Sequence, residues 1–472
     1  MKRIIFQPIR TPEGCYIYDR SVNTIFSVSP EEYEEFQQLK TSDAIEQAPV
    51  ICKYRQRGLL RENNISTIQH PATDLLPHCC ENRVNYMILQ VTQQCNLRCS
   101  YCAYSGMYYN RQHNSQRMSF ETAKKAIDFF LKRTSEVNYI RLGFYGGEPL
   151  LEFDLIKQCV AYINSKVEGK KVSFTMTTNG TLLTDEKIKF IAENDFHLMI
   201  SLDGSKKEHD ACRVFPNGQG SFDIIMKNLR RVKELYPEYA KKINISTVIS
   251  PKADLNDTLE YFNSDEFFAD RHITMNAMAD VGLKEQVDYQ ESFHLIRKYE
   301  YLKYLLYIIG KMERKYVSNL VIASQYNTES TYKALQRHVA LPSCTCPGGP
   351  CIPSVKKLFV TVHGTLYPCE KISESSSCGQ IGSLDDGFDL SKMEAVLNIG
   401  SLTADECKNC WALPMCKICI VQMDHADGQS QYTKADKVNA CKKTKSNAAS
   451  ELYEACVLHE FGYQPNEEEV IL

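Results

Sequence analysis

Twenty cysteines in a chain of 472 residues constrain this protein more than any other feature of its sequence. In a small secreted chain they would form a disulfide framework. Here the chain is long, and Met1-Lys2-Arg3-Ile4-Ile5-Phe6-Gln7-Pro8 has too short an apolar run for a signal peptide. Clustered thiolates in a reducing compartment bind metal instead, so a cytoplasmic metalloprotein is expected. A composition 43% hydrophobic and 24% charged supports sizeable cores, and roughly 150 residues per domain suggests about three domains. The net charge of −3 offers no basic field for nucleic acid or an anionic membrane. No run of about 18 apolar residues exists, so no membrane span is expected.

The chain reads as an α/β protein in four parts. Residues 1–77 begin with strand-like segments at 4–9, 15–19 and 24–28. Ser29-Pro30-Glu31-Glu32 then supplies a helix N-cap with proline and acids in the first turn. A second helix ending near Arg57-Gly58 completes a winged-helix-like pattern, and the polar stretch 63–77 reads as a linker. Over residues 78–290 strands are expected at 86–91, 140–144, 172–177, 197–202, 243–249 and 272–276. Amphipathic stretches such as 119–133 and 185–194 lie between them, which argues for βα units around a partial (β/α)6 TIM-like barrel. A helical bridge, 291–343 with a long amphipathic segment at 293–316, leads to a short-looped, cysteine-dense region, 344–472.

The strongest motif is Cys95-Asn96-Leu97-Arg98-Cys99-Ser100-Tyr101-Cys102, directly after the first barrel strand. Three cysteines spaced in this way can wrap one face of a [4Fe–4S] cluster and leave its fourth iron open. That iron can chelate the amino and carboxylate groups of S-adenosylmethionine (SAM), with Tyr101 packing near the adenine. A zinc loop is the bland alternative, but zinc sites usually present four ligands as paired CxxC units.

On these residues the chain resembles radical SAM enzymes. The resemblance implies that Gly146, Gly147 and Glu148 of Tyr145-Gly-Gly-Glu-Pro149 lie at the SAM amino group, where glycine lets backbone come close. It implies that Asn179, Ser201 and Asp203, at the ends of the next strands, line the ribose and carboxylate. Arg213 is a candidate for the SAM carboxylate because its planar fork suits that group. These motifs fall in order at strand C-terminal edges, where such barrels carry their chemistry.

The C-terminal cysteines resemble a SPASM domain with two auxiliary [4Fe–4S] clusters, which makes three clusters in all. By that resemblance Cys407, Cys410, Cys416 and Cys441 hold one. Cys351, Cys369 and Cys419 hold the other, with Cys346 or Cys344 as the fourth ligand unless a substrate thiolate completes it. The spacing from Cys416 to Cys419 is one residue shorter than is usual in that family. Glu370, next to Cys369, is a candidate general base, with a surface glutamate as the alternative.

The N-terminal region resembles the leader-recognition element of peptide-modifying enzymes, where a precursor peptide adds as a strand to a sheet edge. Together these resemblances imply a maturase of a ribosomally made peptide that forms thioether crosslinks from substrate cysteines. An external electron donor such as flavodoxin or ferredoxin would serve it. The alternatives are carbon–carbon crosslinking, conversion of a sulfatase cysteine to formylglycine, and, without catalysis, a zinc-ribbon peptide-binding adaptor.

Overall fold

The computed structural model describes residues 3–40, 45–109, 112–268, 271, 273–279, 281–324, 326–336, 338–375, 377–423 and 431–464. Its first unit is a three-stranded antiparallel sheet of β1 (Phe6–Arg10), β2 (Cys15–Asp19) and β3 (Thr24–Val28). Alternation along β2 sends Ile17 to one face and Tyr16 and Tyr18 to the other. Ile17 packs with Phe6 of β1 and with Phe36, Ile51 and Tyr54 from the two helices Pro30–Leu39 and Pro49–Arg55. The expected N-cap is present as a capping box. Ser29 Oγ accepts from the Glu32 N–H at 3.2 Å, and the Glu32 carboxylate accepts from the Ser29 N–H at 3.1 Å.

The stretch 63–77 departs from the expected irregular linker. It carries β4 (Thr67–Ile68) and, at its end, the start of a helix, Leu76–Asn82. Next come six parallel strands in sequence order, β5 (Tyr86–Thr92), β6 (Tyr139–Gly146), β7 (Lys171–Thr178), β8 (His197–Ser201), β9 (Asn244–Ile249) and β10 (Ile273–Ala277). The last was expected to start at His272, which lies outside the described residues. Ile140, Leu142 and Phe144 of β6, with Phe174 and Met176 of β7, are buried in the main core. Arg141 and Thr177 alternate to the other face and stay exposed, as does Asn276 of β10. The sheet therefore has an apolar face under helices and a polar inner face, the pattern of an open barrel.

β4 is not a stray pair. It forms a parallel ladder with β11 (Cys344–Thr345), so the linker and the start of the cysteine-rich region hold each other in place. Two-residue strands are too short to carry a periodic signal, and only the partner makes them strands. The expected helix 293–316 runs from Glu291 to Ile308 and stops before Gly310, which takes a φ of +73°. The region 344–472 is also less separate than expected. β12 (Leu358–Val360) pairs in parallel with β5, and β13 (Thr365–Tyr367), β14 (Gly382–Ser383) and β15 (Gly387–Phe388) extend the barrel sheet to ten strands.

The largest departure is the 27-residue helix Lys434–Glu460, in a region expected to be short-looped. Its Leu452, Ala455, Cys456 and Leu458 pack against Ile9, Tyr16 and Tyr18 of the N-terminal sheet. Chain ends far apart in sequence thus share one apolar cluster. Among the described residues no helix is long and apolar enough to cross a membrane.

Candidate functional site

The cysteine loop leaves the C-terminal end of β5 and is fastened on both sides. The Gly147 N–H donates to Thr92 O at 3.0 Å and the Glu148 N–H to Gln94 O at 2.9 Å. A Cβ on Gly146 would lie 2.2 Å from Thr92 O, and one on Gly147 would lie 2.2 Å from Gln94 O. These glycines let the loop after β6 lie directly on the chain that enters the cysteine motif. On the far side the Arg98 N–H donates to Val214 O at 2.7 Å and the Ser100 N–H to Cys212 O at 3.0 Å.

Within the loop, backbone amides face the sulfurs. The Leu97 N–H donates to Cys95 Sγ and the Tyr104 N–H to Cys102 Sγ, both at 3.4 Å. Burial, then Glu148, pushes the Cys95 thiol up to about 12. Burial pushes Cys99 up to about 11 against the opposing charge of Arg213. Thiols raised in this way become thiolates readily only when a cation joins them. The donor set fits the three-cysteine face of an iron–sulfur cluster. Among the described residues no three His, Cys, Asp or Glu side chains close on a single-ion site.

Glu148 is fully buried, and its carboxylate accepts from the Leu150 N–H at 3.0 Å, the Thr178 hydroxyl at 2.6 Å and the Asn179 N–H at 2.8 Å. It ties the end of β6 to the end of β7. Asn179 turns its amide toward Cys95 Sγ at 3.8 Å and donates to Asn96 Oδ1 at 2.9 Å. Ser201 closes β8 beside Ser246 of β9. Asp203 and Arg213 form a buried two-pronged ion pair, at 2.8 and 3.1 Å. The Tyr101 hydroxyl also donates to Asp203, the Arg213 guanidinium lies 5.2 Å from the Tyr101 ring centroid, and Arg213 Nη1 reaches Cys99 Sγ at 3.9 Å. Burial disfavours the Arg213 charge, but Asp203, Tyr101 and Cys99 together outweigh it and hold the guanidinium well above its ordinary range. Tyr101, Asp203 and Arg213 thus form one unit behind Cys99. Sequence reasoning named all three but not His209, which supports them. The His209 ring accepts from the Asp203 N–H at 3.3 Å and bonds Ser221 Oγ at 2.9 Å.

The Radical SAM superfamily profile matches residues 89–262. These residues form a radical SAM domain. A stretch of 169 residues is 35% identical to an uncharacterised protein of Methanocaldococcus jannaschii, over 36% of this chain and 54% of that relative. A cysteine-type anaerobic sulfatase-maturating enzyme of Clostridium novyi is 25% identical over 71% of this chain and 87% of its own. The solved structure of native anSMEcpe with bound AdoMet and Cp18Cys peptide has a TM-score of 0.54 at 20% identity, over 79% of this chain and 99% of that one.

Beyond the radical SAM domain the remaining cysteines fall into neighbourhoods. Cys407 lies within electrostatic reach of Cys410, Cys416 and Cys441. Cys419 is coupled in the same way to Cys351 and to Cys369. Cys346 is coupled to Cys344, whose exposed thiol points to Gln69 O at 3.9 Å. A Cβ on Gly349 would lie 2.2 Å from Ile418 O, so the loop from Cys346 to Cys351 is pressed on the loop between Cys416 and Cys419. Glu370 pairs with Lys357 at 2.7 Å. Lys357 precedes β12, whose Leu358 is in register with Met87. Glu370 therefore sits at the opening end of β5, a strand length (about 20 Å) from the cysteine loop.

Proposed function

We propose that this protein is a radical SAM maturase that crosslinks a ribosomally made precursor peptide by joining substrate cysteine sulfur to carbon. The observation that carries the peptide reading is the open edge of β3. Among the described residues β3 pairs only with β2. Beside that edge lies a cavity of about 220 Å³, lined by Ile25, Phe26, Ser27, Tyr332, Leu335 and His459 among others. An extended leader can add there as a fourth strand, with main-chain bonds for affinity and the cavity for one side chain. The sulfatase-maturating relative and the peptide-bound anSMEcpe structure are in keeping with a peptide substrate.

In this reading Cys95, Cys99 and Cys102 hold one [4Fe–4S] cluster, which with SAM supplies a 5′-deoxyadenosyl radical when reduced by a donor such as flavodoxin or ferredoxin. Gly146, Gly147, Asn179 and Ser201 provide the close backbone and polar edge around the SAM. Glu148 keeps the ends of β6 and β7 in register for it. Tyr101, Asp203 and Arg213 form a rigid charged wall beside Cys99. The SPASM region holds two further clusters, on Cys407, Cys410, Cys416 and Cys441 and on Cys346, Cys351, Cys369 and Cys419. Glu370 takes the substrate thiol proton at the opening end of the barrel, steadied by Lys357. Each link would take one hydrogen atom from carbon into 5′-deoxyadenosine, one proton from the thiol to Glu370 and one electron, for which the cluster on Cys346, Cys351, Cys369 and Cys419 would be the acceptor, while one SAM becomes 5′-deoxyadenosine and methionine. The cytoplasm supplies the reducing conditions.

A second reading is favoured by the Clostridium novyi relative: oxidation of a sulfatase cysteine to formylglycine. The two are separated by mass spectrometry of co-expressed peptides after alkylation. Thioether formation removes two mass units and one alkylatable thiol per link. A product that has lost two hydrogens while every cysteine still alkylates excludes it and points to carbon–carbon crosslinking. A cysteine converted to an aldehyde in a sulfatase peptide selects the maturase of that substrate.

A further inference from the structure

Two cations are buried beside one group of cysteines, and neither has an ion-pair carboxylate among the described residues. Lys437 is 0% exposed, and its ammonium donates to Thr403 Oγ1 at 2.6 Å and to Cys407 Sγ at 3.2 Å. Thr403 Oγ1 in turn lies 3.3 Å from Cys407 Sγ. Arg20 is 2% exposed and comes from the turn between β2 and β3. It donates to the carbonyls of Lys408 at 2.6 Å and Cys410 at 3.2 Å, and to Asn63. Among the described residues neither forms an ion pair with Asp or Glu. The nearest acid to Arg20, Asp19, spends its carboxylate on the Leu60 and Ser21 amides, at 2.6 and 2.8 Å.

Burying a lone ammonium and a lone guanidinium is costly unless an anion offsets them. A hydroxyl, two carbonyls and a neutral thiol are not that anion. A cubane ligated by four thiolates is: in its oxidised form it carries two net negative charges, and one more after taking an electron. Cys407 and Cys410 flank the two cations. Lys437 also stands one helical turn from Cys441, on the same face of the helix Lys434–Glu460.

We propose that Lys437 and Arg20 are the counter-ions of the auxiliary cluster on Cys407, Cys410, Cys416 and Cys441, and that they hold its reduction potential up. The added electron raises the negative charge, so a nearby positive charge stabilises the reduced form more than the oxidised one. Lys437, in contact with a ligand sulfur, has the larger effect. Arg20 acts through the ligand loop's carbonyls, and it belongs to the sheet whose free edge is the leader site. The potential of this cluster is therefore set in part by how that sheet is seated. The inference rests on the reading that these four cysteines hold a cluster.

The test is a potentiometric titration, followed by electron paramagnetic resonance, of the full-length chain reconstituted anaerobically with iron and sulfide. Wild type, Lys437→Met, Lys437→Arg and Arg20→Met are compared, with iron content measured on each. One midpoint is expected to move to more negative potential in Lys437→Met, to stay near wild type in Lys437→Arg, and to move less in Arg20→Met. The cluster whose spectrum responds to SAM should not move. Unchanged midpoints in a Lys437→Met protein that keeps its iron would overturn the proposal. If Lys437→Met loses iron, Arg20→Met decides: a more negative midpoint supports the proposal and an unchanged one overturns it. Loss of all iron from the Cys95→Ala/Cys99→Ala/Cys102→Ala chain would instead remove the auxiliary-cluster reading, and the proposal with it. Iron analysis distinguishes that failure from an unshifted potential.

Discussion

His209 shows what a single side chain can be asked to do here. Burial, reinforced by the Arg213 charge, lowers its titration to about 3, so it stays neutral in the folded protein. The unfolded chain binds a proton near pH 6.5 and the folded one does not, so stability falls as pH drops below 6.5. Between pH 7.5 and 5.5 the loss from this one residue is about 1.4 kcal/mol. A His209→Gln chain should lose correspondingly less over the same interval, read from urea midpoints at the two pH values; equal losses would show that the ring is not the sensitive group. At the same scale, Gly147→Ala places a methyl 2.2 Å from Gln94 O and 2.9 Å from the Cys95 nitrogen. The cysteine loop must move, and iron analysis should show about four irons fewer per chain. Iron content equal to wild type would mean that the loop tolerates the displacement.

At the scale of elements, β3 and the helix Lys434–Glu460 matter most. The leader reading places the peptide along the free edge of β3, beside half-buried Ile25. Ile25→Asp puts a charge in that cavity and should weaken precursor binding tenfold or more, about 1.4 kcal/mol. SAM cleavage without peptide should continue, because the cysteine loop and the residues that fasten it lie outside the N-terminal sheet. Fluorescence anisotropy with a labelled leader gives the first quantity and 5′-deoxyadenosine release the second. Undiminished leader affinity would remove β3 as the site. The same element explains why removing the whole N-terminal sheet is a poor test. It would uncover Leu452, Ala455 and Leu458 and leave the Cys410 loop without Arg20.

For the whole molecule the measurable quantity is iron. Three [4Fe–4S] clusters require about twelve irons per chain after anaerobic reconstitution, and replacing Cys95, Cys99 and Cys102 with alanine should remove about four and abolish SAM cleavage. Zinc in place of iron, or cleavage that survives the triple substitution, would be incompatible with the proposed chemistry.

The sequence alone determined what depends on local spacing. The cysteine motif after an apolar strand, the glycines at the end of β6, the barrel strands and the capping box at Ser29 are all written in residues a few positions apart. Strands such as β8 and β9 were legible because they alternate between a buried and a wetter face, which leaves a period of two, whereas β5 is buried on both faces and shows as a short apolar run. Tertiary structure decided whatever pairs distant segments. β4 and β11 are strands only because they meet. β12 joins the barrel because its apolar residues find the free edge of β5. The 27-residue helix Lys434–Glu460 was illegible because its buried positions answer to several neighbours at once, the N-terminal sheet and the cysteine loops among them, so no single apolar stripe marks it. Lys437 and Arg20 were invisible for a related reason. In sequence each is an ordinary cation, and only folding buries both beside one group of cysteines, with no ion-pair carboxylate among the described residues.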